Sequence, residues 1–212
     1  MDGTIVDTEP YWIVAEIELV ESFGQAWTHA DGISLVGNGL HVTAAKLRER
    51  GVDLSGDEII QRLTTRVVEQ LEIAVPWRPG ALELLTELAA AGIPQALVTM
   101  SFERMANRIA ELIPGQPLSQ IVAGDHVTYP KPHPEAYLLG ASRLGVDVTQ
   151  CVAIEDSPSG LGSARTAGTV AIGVRHLVDL TPDMGFALLP TLAGVTADDL
   201  FQLYSQAQEV SK

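Results

Sequence analysis

Met1-Asp2-Gly3-Thr4 opens the chain, followed by Ile5-Val6-Asp7-Thr8-Glu9-Pro10, and its reading decides what the rest can be. An Asp-Gly-Thr triplet alone is ordinary turn chemistry. It gains meaning from three later stretches in fixed order. Thr99 closes the apolar run Leu97-Val98-Thr99, Lys131-Pro132 sits in a Pro-rich turn, and Ile154-Glu155-Asp156-Ser157 follows a second apolar run.

Size and composition bound the answer. At 212 residues the chain can bury a substantial core, and the length suits one α/β domain with a small insertion. A hydrophobic content of 46% with 19% charged residues is globular. The net charge of −14 argues against nucleic acid or an anionic membrane as partner. It leaves a small phosphorylated substrate open, because a metal ion and one Lys can reverse the field inside a cleft. Cys151 is the only cysteine, so no intramolecular disulfide forms, and the expected location is the cytoplasm. No apolar run reaches the ~18 residues of a membrane-spanning helix.

Along the chain, residues 9–78 read as helical. Tyr11, Trp12, Val14, Ala15, Ile17, Leu19 and Val20 give a broad apolar face, with Gly24 as the stop. A glycine-containing loop over 35–40 leads to helices over about 42–50 and 55–73, and no strand is expected. The Pro- and Gly-rich stretch 76–80 marks a hinge. Beyond it helices (about 80–91, 102–112, 134–143, 158–167, 197–207) alternate with strands (94–99, 120–123, 151–154, 169–174), with a further short strand near 192–195. Such alternation predicts an α/β fold with a Rossmann-like parallel sheet. The expected domains are a core of residues 1–8 and 79–212 and a helical insertion of residues 9–78. Reactive groups then gather at the carboxyl ends of the strands.

Thr99, Asp125, Lys131, Glu155 and Asp156 all fall at those ends. A hydroxyl, an ammonium and paired carboxylates there could bind a phosphate and a hard cation. Each has a plainer reading: Thr99 as a helix cap, Lys131 as a solvated turn residue, and Asp156-Ser157-Pro158 as helix-start chemistry. Glu155 is harder to dismiss, because a carboxylate directly after a buried strand needs a partner.

Together the four motifs resemble those of the haloacid dehalogenase-like (HAD) superfamily. Val6-Asp7-Thr8-Glu9-Pro10 and Gly160 are similar to the helical-cap subfamily, which includes sugar-phosphate phosphatases, phosphoglycolate phosphatase and β-phosphoglucomutase. The resemblance implies a Mg²⁺-dependent phosphatase acting on a small phosphorylated metabolite through an aspartyl-phosphate. It assigns Asp2 as general acid/base, with its backbone carbonyl on the metal. It assigns Thr99 and the Met100 N–H to the phosphoryl group, and Lys131 to charge neutralisation. Asp156 becomes a metal ligand and Glu155 one directly or through water, while Ser157 and Asp125 stand further out.

The pattern departs from the family at its start. The family's first motif is Asp-x-Asp-Gly-Thr after an apolar strand, and its first Asp is the nucleophile. Met1 takes the x position here. The expectation is therefore that the first core strand is missing from mid-sheet, between the strands ending at Thr99 and Ile154. Each backbone group left unpaired and buried there costs about 1–3 kcal/mol. The natural protein is expected to extend upstream through an apolar strand ending in Asp, and the chain from Met1 is expected to be inactive.

In the helical insertion Trp12 occupies the position where sugar phosphomutases carry a His, and residues 36–41 supply no Arg or Lys. Both points favour a hydrolase over a phosphomutase. Trp12, Asn38 and His41 are candidates to face a substrate, with core packing or solvent as the competing readings. Two alternatives come from other classes. One is a dinucleotide binder using Gly160-Leu161-Gly162, whose third Gly is misplaced. The other is a catalytically dead relative that binds a ligand or partner.

Overall fold

The computed structural model describes residues 1–36 and 39–210. The chain divides into two compact units, one of Asp2 and Val6–Pro76, the other of Met1, Gly3–Ile5 and the residues from Trp77 on.

The first unit is helical: α1 (Glu9–Ser22), α2 (His29–Ile33), α3 (Leu40–Glu49) and α4 (Gly56–Ile73). In α4 the Ser55 hydroxyl accepts from Glu58 N–H while the Glu58 carboxylate accepts from Ser55 N–H, a reciprocal cap that starts the helix. Ile59, Ile60, Leu63, Val67 and Leu71 then recur at helical spacing and are buried. α1 and α3 both pack on α4, and α2 packs on α1. The five-residue α2 is too short to show a hydrophobic period, and a second reciprocal cap, between Thr28 and Asp31, fixes it. Trp12 is buried in this unit, whereas His41 is exposed. Asn38 lies outside the described residues.

The second unit alternates helix and strand: α5 (Ala81–Ala90), β1 (Ala96–Val98), α6 (Glu103–Leu112), β2 (Gln120–Val122), α7 (Glu135–Leu144), β3 (Val152–Glu155), α8 (Pro158–Ala167), β4 (Val170–Val174), β5 (Ala187–Leu189) and α9 (Ala197–Val210). Every strand pairing is parallel. The final strand differs from expectation. It is β5 beside β4, whereas residues 192–195 form a turn closed by Val195 N–H on Leu192 O at 3.1 Å. Thr196 and Asp199 cap α9 directly after that turn, which leaves no room for a strand.

The sheet is in two pieces. β1 pairs with β2, β3 pairs with β4 and β4 with β5, and no pairing joins β1 to β3 among the described residues. α7 packs on β1 and β2, α8 packs on β3 and β4, and the two helices pack on each other, so one helix pair holds both pieces. Five-residue β4 is buried throughout, as a strand covered on both faces should be. In β1 and β3 burial alternates instead. Among the described residues no helix is long and apolar enough to cross a membrane.

Candidate active site

The carboxyl ends of β1 and β3 and the loop after β2 bring four expected residues into the same unit. Glu155 ends β3 and Asp156 follows it. Lys131 reaches up from the loop that α7 closes, where Glu135 accepts the N–H groups of Thr128 (2.9 Å) and Tyr129 (2.8 Å). The Lys131 ammonium donates to Glu155 Oε1 at 2.5 Å and to Val98 O at 3.0 Å. Both side chains of this ion pair are only 8% exposed. Lys131 thus joins the carboxyl end of β1 to that of β3.

Tyr137, from the first turn of α7, completes the pair. Its hydroxyl donates to the same Glu155 oxygen at 2.5 Å, and its ring lies under the ammonium with 4.9 Å to the centroid. Burial alone pushes the Glu155 carboxyl up, but the charges of Lys131 and the Met1 amine, with the hydrogen bonds of Lys131 and Tyr137, outweigh it and hold the carboxyl low. The Tyr137 hydroxyl is pushed well above its usual range by burial and by the Glu155 charge, so it stays protonated as a donor. Reasoning from sequence missed Tyr137. The available signal was an aromatic six residues after Lys131, on a helix whose cap points at the same loop.

Asp156 sits in the opposite electrostatic state. Burial raises its carboxyl and the neighbouring Glu155 charge adds to this, only partly offset by the Met1 amine and the Thr4 hydroxyl. Thr4 Oγ1 donates to Asp156 Oδ1 at 3.1 Å. Gly3 makes room: its φ is +70°, and a Cβ there would lie 2.0 Å from Asp156 Oδ2. Gly160 does the same for Glu155, where a Cβ would lie 2.0 Å from Oε2.

Thr99 is buried, and its hydroxyl accepts from Ser101 N–H at 3.1 Å. Met100 Sδ accepts from Lys131 N–H at 3.4 Å. Two of the residues act as helix caps. Asp125 Oδ1 accepts from Glu103 N–H at 3.0 Å and so caps α6. Ser157 Oγ accepts from Gly160 N–H at 3.1 Å as the cap of α8. Asp2 belongs to the helical unit, where the buried Thr8 hydroxyl donates to its Oδ1.

A hard cation such as Mg²⁺ takes oxygen donors, carboxylates above all. Asp156 fits: it is a carboxylate whose ionised form is disfavoured by burial, so a nearby cation would restore it. Glu155 Oε1 is already matched by Lys131 and Tyr137. No cluster of three or more His, Cys, Asp or Glu suited to a metal is found among the described residues.

A buried lysine joins the carboxyl ends of β1 and β3, beside the Tyr137 hydroxyl and next in sequence to a second carboxylate, Asp156. The sequence profile of the haloacid dehalogenase-like hydrolases matches residues 1–168, and the chain belongs to that family. By family it is a phosphoric monoester hydrolase. It is 34% identical to fructose-1-phosphate phosphatase YqaB of Escherichia coli over 84% of this chain and 94% of that one. Hexitol phosphatase B of the same organism is 28% identical over 94% of this chain and 93% of that one. Among solved structures, CbbY from Rhodobacter sphaeroides in complex with phosphate superposes with a TM-score of 0.85 at 25% identity, covering 95% and 96% of the two chains.

Proposed function

We propose that this protein is a Mg²⁺-dependent phosphatase of the cytoplasm that hydrolyses the phosphate monoester of a small carbohydrate through an aspartyl-phosphate. The observation that carries the reading is the buried Lys131 ammonium, fixed between Val98 O and Glu155 at the strand ends that Thr99 and Asp156 directly follow. A cation held rigidly there stabilises a transferring phosphoryl group without reorganisation. The names of its relatives, a fructose-1-phosphate phosphatase and a hexitol phosphatase, support a sugar or sugar-alcohol phosphate as the substrate class.

In this reading Thr99 and the Met100 N–H hold the phosphoryl oxygens, and Lys131 neutralises their charge. Asp156 would hold Mg²⁺, which supplies further neutralisation of substrate charge. Asp2 keeps the role its place in the motif implies. Its protonated carboxyl gives a proton to the leaving alkoxide oxygen, and the resulting carboxylate then takes one from the attacking water. No second reading is favoured: Trp12, at the position that would need a His for phosphoryl return to a sugar, is a buried indole.

Neither carboxylate at the β3 end is available as nucleophile, since Glu155 is matched by Lys131 and Asp156 is the metal ligand. Hydrolysis of p-nitrophenyl phosphate with Mg²⁺ tests the reading. Turnover is expected to depend on Mg²⁺, to stop on chelation and to fall at least about a hundredfold in Lys131→Met. Unchanged turnover in Lys131→Met would overturn the reading.

A further inference from the structure

The Lys131 ammonium has three N–H donors, and two of them are engaged, one by Val98 O at 3.0 Å and one by Glu155 Oε1 at 2.5 Å. The direction of the third is set by whatever holds the other two. Tyr137 bears on that direction and on the charge behind it. Its ring covers one side of the ammonium, with the nitrogen 4.9 Å from the centroid. Its hydroxyl donates to the same Glu155 oxygen that Lys131 uses. The other carboxylate oxygen is confined as well: Ser157 Oγ approaches Oε2 at 3.4 Å, and the bare α-carbon of Gly160 lies against it. One turn after Tyr137, Gly140 brings α7 close to β1, where a Cβ would lie 3.2 Å from Val98 Cγ2. The helix that carries the tyrosine is thus seated on the strand whose carbonyl takes the lysine.

We propose that Tyr137 is a positioning residue for phosphoryl transfer: acting through Glu155 and through the face of its ring, it fixes the third Lys131 N–H and leaves part of the ammonium's charge for the phosphoryl group. A lysine matched only by a carboxylate would have its charge largely cancelled before any substrate arrived. Two donors on one oxygen share that oxygen's negative charge, so the tyrosine loosens the hold of Glu155 on the ammonium. Without the hydroxyl, Glu155 is free to take the ammonium with both oxygens, and the third N–H turns from the ligand to the carboxylate. The loss falls where charge develops on the phosphoryl oxygens, in the transition state more than in the bound substrate. The part in transfer rests on the phosphatase reading, whereas the fixing of the ammonium is a property of the protein alone.

Two measurements separate these halves: turnover of p-nitrophenyl phosphate with Mg²⁺, and the nitrogen-15 signal of the Lys131 ammonium in protein labelled at lysine. Tyr137→Phe keeps the ring and removes the hydroxyl. It should lower kcat about tenfold, less than the loss of a direct donor, with KM changed by less than about twofold. Made in the Lys131→Met background, the same substitution should lower kcat no further, because it acts only through the lysine. The ammonium signal is the one missing from Lys131→Arg. Its protons should exchange with water about tenfold faster in Tyr137→Phe, and faster still in Tyr137→Leu, which removes the ring as well. Wild-type kcat in Tyr137→Phe, or equal losses with and without Lys131, would overturn the positioning role and leave the phosphatase reading standing. Unchanged turnover in Lys131→Met would overturn that reading and the part in transfer with it. Unchanged exchange in Tyr137→Phe overturns the inference whatever the turnover.

Discussion

Glu155 shows how far one residue's chemistry is set by neighbours that look unremarkable in sequence. Its carboxylate is surrounded by Lys131, Tyr137 and the bare α-carbon of Gly160. Gly→Ala within a helix ordinarily stabilises by up to about 1 kcal/mol. At Gly160 the new Cβ must displace the carboxylate and break a buried ion pair, a loss of about 3–5 kcal/mol. Gly160→Ala is therefore expected to destabilise by about 2–4 kcal/mol in urea unfolding. Gly162→Ala, two residues on, meets only Pro132 Cβ at 3.5 Å and should be neutral or stabilising. Equal effects at both sites would show that the Glu155 contact is not what excludes a side chain. Tyr137→Phe keeps the ring under the ammonium and removes one donor, so it should cost about 1–2 kcal/mol, with Tyr137→Leu costing more. The acidic pair and the lysine were legible from residue type and position. Tyr137 was not, because an aromatic early in an amphipathic helix reads as core, and only the fold shows its hydroxyl aimed at Glu155.

Elements with a long period declared themselves, and those without one did not. α4 and α8 were legible within a residue or two, since caps and apolar spacing agree there. α2 and β5 were missed because five and three residues are too few to carry a pattern; a local Thr28–Asp31 cap fixes the first and pairing with β4 fixes the second. The helical unit also holds an unexpected titrating group. Glu16 on α1 is 5% exposed, and burial raises its carboxyl to about 7, with the Trp27 indole N–H at 3.2 Å only partly offsetting this. A carboxyl raised in the folded state imposes no penalty below its unfolded value near 4.5. Stability is lost as pH rises from there through 7, by up to about 3 kcal/mol. Glu16→Gln is expected to be the more stable protein at pH 8, with the difference closing by pH 5. Denaturant unfolding at the two pH values checks this, and a constant difference would show that Glu16 does not titrate in that window. The neighbouring Trp27 indole should report the same transition in its fluorescence.

At the scale of the whole molecule the excess of acid is the governing fact: 27 acidic residues face 13 basic ones, so at least 14 carboxylates have no cation of their own. Surface ion pairs such as Arg66–Glu18 each contribute at most about 1 kcal/mol and cannot offset that repulsion. Raising ionic strength from about 0.01 to 0.15 M shortens the screening length from about 30 to 8 Å. Sodium chloride is therefore expected to raise the melting temperature by roughly 2–4 °C, where a protein dominated by ion pairs would lose stability. The divalent cation proposed for Asp156 can be separated from such screening. Mg²⁺ at matched ionic strength should add a saturable increment to the melting temperature beyond that of sodium chloride. Asp156→Asn should abolish the increment while leaving the salt response in place. Because the measurement is thermal unfolding, it reads metal binding without requiring turnover. An increment that persists in Asp156→Asn would move the cation elsewhere on the acidic surface, and Asp156 would then be a buried carboxyl held by Thr4 alone.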